Sequence, residues 1–314
     1  MDQNKNQNET ENKDQDKVQK KELKKATGYM AWGLVFYTII GGILSIVGVV
    51  FYIVVKNIAI VFSTPNWIDL TEKELNGLFS ETIGDKALGV LSCVIVLVGI
   101  AFLFIYFRKR IHRKQLFSSN KKMELKNFVP ILCVFLGVQL ITEPIFWLME
   151  KIFNYFGYSV MSSIEEASMA STTVFMVLYA VVLAPIVEEV IYRGFVLFTL
   201  KEFGKILAIF ISAFLFGIMH ENIPQGIFAF MVGIVLGYVT IEYSIWWAIL
   251  LHIINNGLSD VMYYLLRGFN EGIQHGIIYG FYGSFLLLGI YFVWKKRSEI
   301  YNYWIENKPQ KNWL

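Results

Sequence analysis

PIVEEVIYRG, residues 185–194, ends an apolar run, Thr172–Ile191, that is long enough to cross a bilayer, yet it carries Glu188, Glu189 and Arg193. An ionisable side chain in hydrocarbon is expensive unless it is paired or faces a wet cavity, so such groups mark function by default. The pattern recurs in two neighbouring runs. His220 closes FLFGIMH, residues 214–220, and His252 and Asn256 lie in LLHIINNG, residues 250–257. Two carboxylates, a guanidinium, two imidazoles and an amide therefore share three adjacent apolar segments.

The rest of the chain fits a membrane setting. Of 314 residues, 55% are hydrophobic and 17% charged, and the mean hydropathy of +0.50 is too apolar for an ordinary soluble domain. Uncharged stretches predict eight spans: Tyr29–Val55, Ala87–Phe107, Phe128–Leu148, Thr172–Ile191, Ile206–His220, Pro224–Ile241, Ile245–Leu266 and Ile277–Trp294. Helices are the open structures that satisfy their own backbone in lipid. The fold class is thus all-α, a polytopic helical membrane protein of about eight transmembrane helices. Residues 1–27, rich in Asn, Gln, Lys, Asp and Glu, read as a disordered charged tail, 28–298 as the membrane domain and 299–314 as a short C-terminal tail. The first apolar run follows a long polar tail and reads as an anchor, not as a cleavable signal.

Basic residues set the orientation. Lys20–Lys25, RKRIHRKQLFSSNKKMELK after the second span, Arg193, Lys201 and Lys205 after the fourth, and Lys295–Arg297 alternate with the more acidic segments Lys56–Lys86, Met149–Ser171 and Arg267–His275. The positive-inside rule places the basic segments and both termini in the cytoplasm of a multi-pass cell-membrane protein. The net charge of +3 records these loops, which suit an anionic leaflet and not nucleic acid. Cys93 and Cys133 lie within spans and give neither a disulfide framework nor metal-ligand spacing.

The spacings sort the polar set. Glu188 and Glu189 point about 100° apart on a helix. Glu189 and Arg193 are i,i+4 with the acid first, the better order for an ion pair. Glu188 then remains to face a cavity as a general base, with Tyr192 one turn along the same face. Phe216 and His220 are again i,i+4, as are His252 and Asn256, whose N–H groups suit an oxyanion hole. Against these stand blander readings: a buried Glu–Arg clamp, an interfacial histidine and an interhelical hydrogen bond. HEN at His220–Asn222 is not a zincin helix, because Pro224 stands where a second His belongs. No G-x-S-x-G elbow occurs. A water activated by carboxylate and imidazole remains, with a Zn²⁺ held by Glu188, His220 and His252 as its chemical rival. Glu143, beside Pro144 in LITEPIFW, and Asp260 stay outside the set.

Taken together, E188-E189-x-x-x-R193, F216-x-x-x-H220 and H252-x-x-x-N256 resemble the three motifs of the CAAX protease and bacteriocin-processing (CPBP, or Abi) family of glutamate intramembrane proteases. They are similar to those of the type II CAAX prenyl endopeptidases. The resemblance covers about Thr172 to Leu266. It implies that Glu188 activates water, His220 helps bind it, His252 and Asn256 stabilise the oxyanion, and Glu189 and Arg193 support the site. It also implies no metal cofactor. The substrate would be a peptide or membrane protein met in the lipid bilayer, in bacteriocin processing, self-immunity or peptide-signal maturation. Two other functions compete: a non-catalytic adaptor that regulates a sensor kinase or another membrane protein, and a transporter, for which matching inverted repeats are missing.

Overall fold

A computed structural model describes residues 2–64, 70–74, 85–108, 116–159 and 173–308. Parts of the segments Lys56–Lys86 and Met149–Ser171, part of the basic run after the second span, Thr172 and residues 309–314 lie outside the described residues. Among the described residues there is no strand. The helices are α1 Asp2–Ser63, α2 Asp85–Phe107, α3 Leu125–Tyr155, α4 Val174–Phe203, α5 Lys205–Ile218, α6 Ile223–Glu242, α7 Ile245–Leu266, α8 Glu271–Lys295 and α9 Arg297–Asn307. The all-helical membrane class holds, and the count of about eight spans is not confirmed. Among the described residues six helices are long and apolar enough to cross: α1, α2, α3, α4, α6 and α8.

The two exceptions carry polar residues of the motifs. α5 has 14 residues, so it rises only about 21 Å, short of the roughly 30 Å hydrocarbon core. α7 has 22 residues, but His252, Asn255, Asn256 and Asp260 dilute its apolar character. At the ends of the chain the helices also outrun the sequence reading. α1 begins at Asp2, inside the stretch whose composition predicts disorder, where Lys, Glu and Gln are good helix formers. α9 fills most of the expected C-terminal tail.

α4 runs through the middle of the bundle against α2, α5, α6 and α7, with α1 packed on α2 and α3 on α8. Its helix is not uniform. Leu178–Leu183 and Val190–Leu197 are π-helical and flank an α-helical segment, Ala184–Glu189. Pro185 explains part of this. The N–H of Ala184 reaches the Tyr179 carbonyl in the wide register; the next donor in that register belongs to Pro185, which has none. The carbonyl of Ala180 is thereby left for another partner.

α4 continues past Ile191 to Phe203 and turns at Gly204, whose φ of 130° requires glycine. α5 then retraces α4 for 14 residues, which brings its end to about the level of Glu188 and Glu189. The α5–α6 turn, Met219–Asn222, therefore lies halfway along α4 and not at its far end. Glu221 in this turn has a φ of 55°, a left-handed conformation uncommon for residues other than glycine. Close packing holds the hairpin there. Ile209, Ala213 and Gly217 of α5 face Gly237, Gly233 and Gly226 of α6, and a Cβ at Gly217 would stand 2.6 Å from the Gly226 carbonyl oxygen. In lipid, small residues of this kind let helix backbones approach.

At the other end of α4, the basic segments converge. The backbone N–H of Asn120 donates to the Tyr243 carbonyl (2.7 Å), and both Lys121 and Lys205 bind Glu242. The outer surface is apolar, with Phe51, Phe62 and Leu287 each more than two-thirds exposed, as lipid-facing positions are. The glycine contact predicts that Gly217→Val lowers the melting temperature of the purified protein in detergent, by the equivalent of about 1–3 kcal/mol of overpacking. Gly280→Ala on α8, where a Cβ meets no atom within 4 Å, should leave it unchanged or raise it.

Candidate active site

Arg193 and Glu189 form the base of the site. Both are fully buried, and Arg193 Nη1 lies 3.0 Å from Glu189 Oε1. The guanidinium also donates from Nη2 to the Gly233 carbonyl (3.3 Å) and stacks over the Phe216 ring at 4.4 Å. Gly233 has to be small: a Cβ there would stand 3.2 Å from Nη2 and 3.1 Å from Ala213. The small-residue seam between α5 and α6 thus also makes room for the arginine.

Glu189 has a second partner. Its Oε1 also lies 3.0 Å from His252 Nδ1 on α7. A carboxylate paired with arginine is an acceptor only, so Nδ1 carries the proton and donates it. Nε2 is then the basic nitrogen, and it faces Glu188 Oε2 at 3.6 Å. That distance exceeds a direct hydrogen bond, but a water can bond both atoms at once. Glu188 keeps 32% of its side chain accessible, whereas His252 keeps 8%. The adjacent carboxylates therefore divide as their helical phase suggests: Glu189 points into the protein and Glu188 toward an opening.

His220 stands at the end of α5 on the displaced turn. Its Nδ1–H donates to the Phe216 carbonyl (2.8 Å), which again leaves Nε2 as the basic atom. The ring is within electrostatic reach of Glu188. Phe216, almost fully buried, organises the group. It meets His220 edge-on at 4.9 Å and His252 at 5.6 Å, and lies 5.2 Å from Tyr192. Tyr192 is buried beside Glu188, and its carbonyl accepts from Ser212 (2.8 Å). Glu188, Glu189, Tyr192, Arg193, Phe216, His220 and His252 are thus brought together from α4, α5 and α7.

Asn256 is placed differently from its partner. One turn beyond His252, it donates from Nδ2 to the Ala180 carbonyl at 2.9 Å, the acceptor that Pro185 leaves open. Asn255 Nδ2 donates to Asn256 Oδ1 (3.3 Å), and Gln139 Nε2 of α3 donates to Asn255 Oδ1 (3.0 Å). The chain of amides fixes each orientation and ties α3 and α7 to α4. Gln139, Asn255, Ser212 and Gly233 are contributors that the motif spacing does not reveal. The signals present were Pro185 and the glycine pattern of α6, G226 with G233-x-x-x-G237.

Glu143 is exposed on α3. Among the described residues, no three His, Cys, Asp or Glu side chains are grouped as a metal site.

Residues 170–258 match a family model described as Type II CAAX prenyl endopeptidase Rce1-like. The matched segment contains all seven residues that the motifs name, together with Tyr192, and the family is the one those motifs resemble. No curated protein and no solved structure matches the chain. Breaking the buried pair by Arg193→Met should cost about 3–5 kcal/mol, because it strands the Glu189 carboxylate in a dry site. Adding Glu189→Gln should recover part of that loss, so that in chemical denaturation in micelles the double variant falls well short of the summed single effects.

Proposed function

We propose that this membrane protein is an intramembrane endopeptidase in which Glu188 and His252 activate a water against a peptide carbonyl. The observation that carries this reading is the Glu189 carboxylate held between Arg193 and His252 Nδ1, both at 3.0 Å. It fixes the tautomer of His252 and aims its basic nitrogen at Glu188, as an acid orients the imidazole of a hydrolase. The match over residues 170–258 to a protease family supports the same reaction class.

In this mechanism a water lies against Glu188 Oε2 and the imidazole Nε2 atoms of His252 and His220. Glu188 takes a proton as the water oxygen bonds to the substrate carbonyl carbon, and the carbonyl π pair moves to oxygen. The proton passes from Glu188 to the leaving amine as the C–N bond breaks, and the carboxylate is regenerated. The one proton taken from the water is shared between Glu188 Oε2 and His252 Nε2, and the partial positive charge this places on the imidazole is balanced by Glu189. The Asn256 amide, engaged with Ala180, acts in the resting arrangement by holding α7 against α4. Peptide reaches the site beside the α5–α6 turn, where Glu188 and His220 retain accessible surface.

Purified protein in nanodiscs should cleave members of a peptide library. Glu188→Gln should lower the rate by about 10²–10⁴-fold without lowering the melting temperature. Activity that survives in Glu188→Gln would remove the base assignment. Loss of cleavage on chelation, with recovery on adding Zn²⁺, would show metal-dependent hydrolysis instead. A cellular phenotype that persists in Glu188→Gln while wild-type protein cleaves nothing would favour an adaptor.

A further inference from the structure

Away from the polar site, a cavity of about 570 Å³ opens between α3, α5, α6, α8 and α9. It lies within the size range of ligand pockets. Its walls are apolar, among them Ile131, Val134, Phe210, Ile234, Phe292 and Trp304. None of the residues of the proposed hydrolytic site lines it. One end is charged. There the carboxylate of Glu242, itself 5% exposed, accepts from Lys205 (2.9 Å), from the Tyr303 hydroxyl (3.0 Å) and from Lys121. Lys296 pairs with Glu299 at 3.1 Å on the same rim.

Among the described groups in these contacts, the ammonium groups of Lys121, Lys205 and Lys296 meet the carboxylates of Glu242 and Glu299, three positive charges to two negative. The bond to Glu242 holds the Lys121 ammonium above its ordinary pKa, so it stays charged. The lysine side chains also remain accessible, at 66% for Lys121, 42% for Lys205 and 35% for Lys296. α9 closes the rim with exposed Ile300, Tyr301 and Trp304, an amphipathic belt of the type found at a membrane surface. An apolar, acyl-sized trough that ends in excess positive charge at such a surface is complementary to one class of molecule.

We propose that this cavity is a binding site for one anionic phospholipid, its acyl chain along the apolar walls and its phosphate between Lys121 and Lys296. Native mass spectrometry of the full chain in detergent, given equal amounts of phosphatidylglycerol and phosphatidylcholine with the same acyl chains, tests it. Wild type should retain a single phosphatidylglycerol about tenfold more than phosphatidylcholine. Lys121→Gln with Lys296→Gln should abolish the preference, and Ile234→Trp, which fills the cavity, should abolish retention of both. Ile131→Trp serves the same end should Ile234→Trp fail to fold, and melting temperature reports folding for each. Leu287→Trp, on the exposed face of α8, should behave as wild type. Equal retention of the two lipids by wild type, or a filled cavity that holds phosphatidylglycerol as well as Leu287→Trp does, would overturn the site and leave only general lipid contact.

Discussion

A fully buried ion pair in a membrane bundle constrains everything around it. Glu189 and Arg193 are both fully shielded from bulk water, so their desolvation must be offset by direct contacts. The protein supplies these from three directions: the Gly233 carbonyl on α6, the Phe216 ring on α5 and the His252 Nδ1–H on α7. Each contact requires its helix at one depth and rotation. The depth of the short α5, the glycine seam of α6 and the tautomer of His252 all follow from that requirement. Glu189 is thus both the structural anchor and the group that orients the His252 imidazole, with Nε2 toward Glu188.

The unusual local geometry serves the same end. The wide turns of α4 on either side of Ala184–Glu189 alter the phase at which its side chains emerge, and π-helical turns of this kind collect at functional sites. Pro185 withdraws a donor just where Asn256 brings one, so a backbone defect in α4 becomes a docking point for α7. The left-handed Glu221 and the Gly217–Gly226 contact place the α5–α6 turn inside the bundle, next to Glu188. Short-range irregularities, not additional helices, bring the three motifs into contact.

Much of this is legible in the sequence. The helical class follows from the apolar runs, and the i,i+4 spacing of Glu189 and Arg193 predicts an ion pair that the structure contains. The motif spacing also separates Glu188 from Glu189. Contacts between helices are less legible, because rotation and depth are not encoded by period alone. His252 reads as an oxyanion donor beside Asn256, whereas its two nitrogens are divided between Glu189 and Glu188. Gln139 and Asn255 look like ordinary span residues until the helices are packed. The two runs that fall short by length or hydropathy, α5 and α7, have a related cause: polar groups and a short helix are tolerated at membrane depth where they line a shared interior. A hydropathy pattern cannot tell that interior from lipid.

The central claim is that Glu189 holds the proton of His252 on Nδ1 and so turns Nε2 toward Glu188. Nitrogen-15 NMR of histidine-labelled protein tests this most directly, with the four histidines assigned by substitution. At neutral pH the His252 signal should show a protonated Nδ1 and an unprotonated Nε2, and Glu189→Gln should shift it toward a tautomer mixture. A His252 signal protonated at Nε2 alone, or one unchanged by Glu189→Gln, would contradict the account.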